Sequence, residues 1–439
     1  MSEGARISAV KALIRIERDS AYSNLVLDSY LKNSNMSYSD CALFTALILG
    51  VLERKITLDY NLSLYLSKGI KKLKPEVLAI LRVGAYQILF TDRIPDSAAV
   101  NESVKASLKL GCSYAAGVIN AVLRRLSENS LRLPENTETL GGISIKYSVP
   151  EELALLLTES LGKEDAIGFL ESSFGKPPTV IRVNTLKTDA DNLIRILRDE
   201  GINAKENELV KNSLTLENAG DVANLKSFSA GLFHVQDISS QLCVKALAPE
   251  PGETVLDMCS SPGGKSFTAA QYMNGEGKLY SFDITENRLG LIKGGAKRLE
   301  IGNLHCALND ASKYNKSIPL SSRVLCDVPC SGLGVLRKKP EIRFKAVSDI
   351  GKLYQLQYDI LRTSSLYVKD KGTLIYSTCT VNPAENREIA LRFLRENPDF
   401  SSEKVLPEIA RNTQEGDFLT LLPHIHGCDG FFISKFIKG

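Results

Sequence analysis

From about Glu250 onward the chain alternates short apolar runs with helical stretches, and this rhythm restricts the fold more than any other feature. Candidate strands cover Thr254–Asp257, Lys278–Asp283, Leu304–Leu308, residues 324–328 and residues 373–377, with a helix expected over 383–396. Strands separated by helices predict a mainly parallel sheet with helices on both faces. Such sheets bind ligands at the carboxyl ends of their strands, so the residues just past each strand carry the most information.

Upstream the pattern differs. Residues 5–127 read as helix throughout: Ile7, Val10, Leu13 and Ile14 recur at helical spacing. Pro75 opens a helix over 76–90 as a first-turn proline can, and Asp96 and Ser113 stand where N-caps would start two more. Residues 129–142, with Asn, Ser, Pro and paired Gly, read as a linker. Residues 144–248 are mixed: helices over Glu151–Leu161, 164–174 and 191–199, a strand over 179–184, and apolar runs at 213–216 and 232–235. The expected division of the 439 residues is therefore an all-α domain over 1–140, a small α+β module over 141–235 and an α/β domain over 236–439.

Several classes are disfavoured. The longest apolar run, residues 41–52, is shorter than the roughly 18 residues a membrane span needs. The start Met1-Ser2-Glu3-Gly4 lacks the basic-then-apolar pattern of a secretory leader, so a cytoplasmic location is expected. Nine Cys without a C-x-x-C pair, and four His that do not cluster, predict reduced thiols and no metal. A net charge of +3 is too small to identify a nucleic-acid partner. Basic residues do gather at Lys68, Lys71, Lys72 and Lys74, and again at Arg337, Lys338, Lys339, Arg343 and Lys345.

The strand ends carry the chemistry. The first is followed by Cys259-Ser260-Ser261-Pro262-Gly263-Gly264-Lys265-Ser266. Glycines at a strand-to-helix turn admit a ligand close to the backbone, where the next helix presents free N–H groups. Gly264-Lys265-Ser266 supplies the end of a P-loop, but Cys259 occupies the position of its first glycine, and G-x-G-x-x-G is absent. Acids stand at or near three successive strand ends: Asp257, then Asp283, placed for a ribose diol, then Asp310, placed for an adenine amino group. That series suits a nucleoside ligand such as S-adenosylmethionine. Past the fourth and fifth strands lie Asp327-Val328-Pro329-Cys330-Ser331-Gly332 and Ser377-Thr378-Cys379-Thr380. Topology would bring both Cys and Asp327 toward one pocket.

On these motifs, with residues 235–241 and 427–432, the sequence resembles the Sun/Fmu (RsmB/NOP) group of RNA cytosine-C5 methyltransferases. Ser260-Ser261 replaces the usual Ala pair of the loop, and Arg387 replaces the last acid of P-x-E-N-E. Residues 95–104 and 117–125 look like a NusB-type RNA-binding domain. The resemblance implies a Rossmann-like methyltransferase domain behind that helical domain and a small α+β module. It implies S-adenosylmethionine held by residues 259–265, Asp283, Asp310 and Asp327. Small-subunit ribosomal RNA is the implied partner of a monomeric chain, with transfer RNA, or a scaffold without catalysis, as alternatives. It further implies Cys379 as nucleophile toward C6 of a cytosine, Cys330 in product release and Asp327 at N3. The residues alone leave open the reverse arrangement, with Cys330 attacking. Arg182 and Asn184, in a family-like Arg-Val-Asn segment, and the Arg337–Lys345 cluster are expected to meet RNA.

Overall fold

The computed structural model describes residues 4–19, 21–32, 36–411 and 413–439; the start at residues 1–3 lies outside the described residues. The chain forms two compact units, Met1–Gly175 with Leu336–Lys345, and Lys176–Val335 with Ala346–Gly439.

The first unit is helical. Helices Ala5–Asp19, Ser23–Lys32, Tyr38–Ser63, Pro75–Phe90, Asp96–Lys109 and Ala116–Ser127 enclose a core that includes Leu13, Phe44, Leu47, Ile80 and Leu123. Pro75 sits in the first turn as expected. Asp96 is already helical behind Pro95, and Ser113 lies in a short 3-10 turn, so neither side chain caps. The expected linker is pegged rather than loose: Asn61 donates to Arg132 O at 3.0 Å and accepts from Arg132 N at 2.9 Å. Thr57 donates to Ile145 O at 2.6 Å, and Ile56 N donates to Ser148 Oγ at 3.0 Å. These bonds bring Leu140–Tyr147 into the helical unit together with Glu151–Leu161 and Lys163–Ser172. The expected boundary near 140 thus falls within a compact unit that continues to Gly175.

The second unit contains two sheets. The smaller comprises β1 (Thr179–Val183), β2 (Asn203–Glu206), β3 (Ser213–Glu217) and β4 (Phe233–Val235), antiparallel in the order β2-β3-β1-β4. Alternation along β1 sends Ile181 and Val183 into this sheet's own core with Leu193, Leu214 and Phe233. Val180, on the other face, joins the larger core.

The larger sheet holds β5 (Thr254–Asp257), β6 (Lys278–Asp283), β7 (Leu304–Leu308), β8 (Ser321–Asp327), β9 (Val368–Thr378), β10 (Phe400–Glu403), β11 (Gln414–Glu415), β12 (Phe418–Leu421) and β13 (Phe431–Lys438). Its order is β11-β12-β13-β9-β8-β5-β6-β7, with β10 paired to β13. Strands β5 to β9 run parallel, and β13 lies antiparallel to β9. The chain runs outward from β5 to β7 on one side and through β8 to β9 on the other. The switch point is therefore between β5 and β8, where a doubly wound sheet opens its crevice.

Candidate active site

Asp257 and Asp327 end the two strands that flank this switch point. The turn after β5 is tied to the next strand end, because Ser260 donates through both N and Oγ to Phe282 O at 2.8 Å. Gly263 N returns to Ser260 O at 2.7 Å, and the helix Gly264–Tyr272 begins at once. Gly263 has φ +108°, and a Cβ there would lie 2.4 Å from the Phe267 ring. Only glycine fits this turn without displacing that ring.

The turn encloses a cavity of about 200 Å³ lined by Gln236, Asp237, Ser240, Asp257, the residues Cys259–Pro262, Gly264, Lys265 and Asp327. Two buried polar atoms of its lining residues have no hydrogen-bond partner: Gln236 Nε2 and Asp257 Oδ1. Asp257 Oδ2 accepts from Ser266 Oγ at 2.6 Å. Burial pushes the Asp257 carboxyl up to about 7. One unused donor and one unused acceptor, beside a helix N-terminus, match a ligand with a carboxylate and an amine, as the amino-acid end of S-adenosylmethionine has. Asp283, at the end of β6, is buried and accepts from Thr285 N at 3.1 Å. Asp310 is occupied by its own turn, accepting from Ser312 N and Oγ and pairing with Lys313 at 2.8 Å. The bond from Lys313, with that from Ser312, holds its carboxyl below the usual range. The buried neighbour Asn309 has an unpartnered Nδ2.

On the β9 side, Cys330 and Cys379 Sγ lie 3.2 Å apart, both as free thiols. Asp327 accepts from Lys265 Nζ at 2.7 Å and from Ser377 Oγ at 2.8 Å. Burial opposes the Lys265 ammonium, yet the charge and hydrogen bond of Asp327, with Cys243 and Asp257, together outweigh it, and the Lys265 pKa is raised. Lys265 thus neutralises the carboxylate. The hydrogen bond shared with Cys379, with burial, pushes the Cys330 thiol well above its ordinary value. Backbone bonds hold the Cys379 turn in place: Gly334 N donates to Cys379 O and Gly430 N to Gly334 O, each at 2.9 Å. A Cβ on Gly334 would fall 1.8 Å from Gly430 O. The motif around Asp429 leads into β13, which is interior between β12 and β9.

The expected RNA contacts fare differently. Arg182 shares the β1 face with Val180 and is buried, donating to Gln271 Oε1 at 3.0 Å and Lys211 O at 2.7 Å. Asn184 is buried and donates to Gly231 O and Leu299 O. Both side chains hold the small sheet within its unit, which corrects the expectation that they meet RNA. Arg343 is also fully buried, donating to the Ser173 carbonyl and hydroxyl at 2.9 Å. Its guanidinium lies 5.1 Å from the Phe174 ring, with Lys55 4.6 Å over Phe344. Glu341 accepts from Ser23 N and Oγ, and Arg337 Nε donates to Gly175 O at 3.3 Å. The segment therefore packs on the helical unit, and Arg343 anchors it. Lys338 is exposed, while Lys339, 5.7 Å over Tyr22, and Lys345 are half-buried. The sequence reading assigned no role to Gln236 or Glu385, although both lie in the motifs that carried the resemblance.

A doubly wound sheet with a glycine turn at its switch point, strand-end acids and two thiols beside them defines a methyltransferase-type domain. Family models agree along the chain: 16S rRNA methyltransferase RsmB/F over residues 244–437, the NusB family over 3–128, and the Methyltr_RsmF/B-like ferredoxin-like domain over 149–223. The chain is 36% identical to the "Probable ribosomal RNA small subunit methyltransferase B" of Bacillus subtilis (strain 168), covering 98% of each. It is 31% identical to the "Ribosomal RNA small subunit methyltransferase B" of Citrobacter koseri, covering 96% of each. The crystal structure of PH0851 aligns over 100% of both chains with a TM-score of 0.83 and 25% identity. The chain belongs to the 16S rRNA methyltransferase RsmB/F family. Its architecture is a NusB-like helical domain, a small middle domain and a C-terminal α/β methyltransferase domain.

Proposed function

We propose that this protein methylates C5 of a cytosine in small-subunit ribosomal RNA, with S-adenosylmethionine as methyl donor and through a covalent bond from Cys379 to C6. The observation that carries the reading is the pair of sulfurs 3.2 Å apart, beside Asp327, at the ends of adjacent parallel strands. C5 of cytosine is a poor nucleophile. Addition of the Cys379 thiolate at C6 shifts the C5–C6 electron pair toward C5 and the N3 side, making C5 an enamine carbon. Asp327 is assigned to N3, where negative charge develops: a proton delivered by its carboxyl, or taken up by N3 and held by the carboxylate, stabilises that charge. S-adenosylmethionine, when bound, supplies an electrophilic methyl group. Once C5 carries the methyl group its proton passes to solvent water, the C5–C6 double bond re-forms, and the Cys379 sulfur is expelled, a release that Cys330 assists as a thiol.

The target base must leave its stack to reach the thiols, which favours a loop or single strand. The NusB-like domain is assigned to RNA docking, with its basic run at Lys68, Lys71, Lys72 and Lys74. Residues 259–265, Asp257, Asp283 and Gln236 are assigned to the cofactor. No helix among the described residues is long and apolar enough to cross a membrane.

The test uses the full chain with S-adenosylmethionine and deproteinised small-subunit ribosomal RNA. Cys330→Ala should accumulate a protein–RNA adduct stable on a denaturing gel, and Cys379→Ala should form none. An adduct in the opposite variant would exchange the two roles. Bisulfite sequencing of the RNA product should show one protected cytosine, whereas a mark found only on transfer RNA would overturn the substrate.

A further inference from the structure

The carboxylate of Glu385 is fully buried and takes no part in the steps above. Its Oε1 accepts from Ser331 N at 2.7 Å and from Gln357 Nε2 at 3.0 Å. Its Oε2 accepts from Ser331 Oγ at 2.6 Å, and from Thr380 Oγ1 and Asn382 Nδ2 at 3.2 Å each. Ser331 follows Cys330 and Thr380 follows Cys379, so one side chain clasps both thiol turns. The Ser331 and Thr380 hydroxyls also meet each other at 2.8 Å, and Gln357 reaches Pro329 O at 3.0 Å. Tyr376 OH donates to Glu385 O at 2.5 Å, and Asn386 donates to Thr380 O at 2.9 Å, fixing the turn that carries Glu385.

All five donors to the carboxylate are neutral. The other acid beside the thiols, Asp327, has Lys265 against it. Other titratable groups on the elements that carry the pair are Cys326 on β8, Tyr376 on β9, and Tyr354, which contacts Asn382 at 3.2 Å. Among the described residues no cation is bonded to the Glu385 carboxylate, and its two shortest bonds, at 2.6 and 2.7 Å, go to Ser331, the neighbour of Cys330, against 3.2 Å to Thr380, the neighbour of Cys379. A negative charge close to a thiol favours its protonated form, and Glu385 is among the groups that push Cys330 up, after the Cys379 bond and burial.

We infer that Glu385 is the positioning residue that gives the two sulfurs different tasks. It holds their turns together, and its charge keeps Cys330 a thiol that donates its S–H to Cys379, leaving Cys379 the sulfur that attacks. This rests on the proposed covalent mechanism and deepens it.

Iodoacetamide alkylation of the full-length protein, read by peptide mass spectrometry from about pH 6 to about pH 10, follows each thiol separately. In the wild type Cys379 should label at lower pH than Cys330. Glu385→Gln keeps the shape and removes the charge; Cys330 labelling near pH 8 should rise about tenfold, the equivalent of one pKa unit. Its kcat on deproteinised small-subunit ribosomal RNA should fall with little change in KM. Glu385→Asp should restore most of the wild-type labelling profile but not kcat. A folded Glu385→Gln with an unmoved Cys330 profile would reduce the residue to a structural brace and overturn the inference. If Glu385→Gln fails to fold, the wild-type order decides, and Cys330 labelling at or below the pH of Cys379 overturns it. The adduct gel separates the two levels. Absence of an adduct in Cys330→Ala sinks the covalent mechanism, whereas an adduct together with an unmoved Glu385→Gln profile sinks only the assignment of Glu385.

Discussion

The two sides of the crevice are finished to different degrees. On the β5 side, Gln236 Nε2 and Asp257 Oδ1 are buried without partners, around a cavity of about 200 Å³. On the β9 side, the Glu385 carboxylate takes five hydrogen bonds, Ser331 is bonded to it and to Thr380, and Thr378 is bonded to Asn386. A buried polar group without a partner costs free energy, on the order of 1–3 kcal/mol. Such a cost is tolerated where a ligand will supply the missing bond. The Glu385 carboxylate, with five donors, instead holds its geometry with nothing bound, and beside it Gln357 Oε1 is buried without a partner. The β5 side is thus built to be completed by a ligand, and the β9 side to present two sulfurs already in place.

The sharpest way to break that contrast is at the sulfur itself. Cys379→Ala should lower methyl transfer by on the order of 10³-fold or more. Cofactor affinity by calorimetry should stay within about threefold. A large loss of cofactor binding would mean that the two sides are not separable.

Lys265 belongs to both sides, since it lines the cavity and neutralises Asp327. Lys265→Met should leave a half-buried carboxylate without its cation, at a cost of about 3 kcal/mol in denaturant unfolding. It should weaken cofactor binding and turnover together. Loss of only one would place Lys265 on one side alone. Gly263→Ala tests the β5 side by itself. The positive φ and the collision with Phe267 should cost about 2 kcal/mol of stability. Cofactor affinity should fall about tenfold, with kcat at saturating cofactor nearly unchanged.

How much of this was legible in the sequence depended on what each signal could report. β5, β6 and β7 coincide with their expected ranges, because turn residues bound each run and helices separate them. β13 escaped because it pairs antiparallel with β9, and its segment was read as a motif. The glycine turn after β5 was legible, since a glycine with φ +108° leaves a spacing in the chain that sequence displays. Arg343, Arg182 and Asn184 were misread for one reason: sequence shows that a side chain is polar but not whether it faces water. Arg343 is anchored by Ser173, 170 residues away, and Asn184 by Leu299, 115 residues away. Glu385 was invisible in the same sense. Its partners Ser331 and Gln357 come from two other segments, and only the fold brings them together.

Asp257 gives the smallest effect and tests whether the β5 side truly waits for a ligand. Burial raises its carboxyl to about 7, against about 3.9 in an unfolded chain. Between those values the folded state binds the proton and the unfolded state does not. The stabilisation from this group is therefore complete below about pH 4 and is lost as pH rises toward about 7, at about 1 kcal/mol per pH unit at most. Without cofactor, Asp257→Asn should remove that slope from urea unfolding in this window. A ligand amine beside Asp257 would favour the carboxylate and expel the proton. Calorimetry near pH 7 in two buffers of different ionisation enthalpy should then show proton release when S-adenosylmethionine binds to the wild type, and none for Asp257→Asn. Equal release from both proteins would mean that the ligand's amine lies elsewhere, and that the empty valence of Asp257 is a feature of the fold rather than of the site.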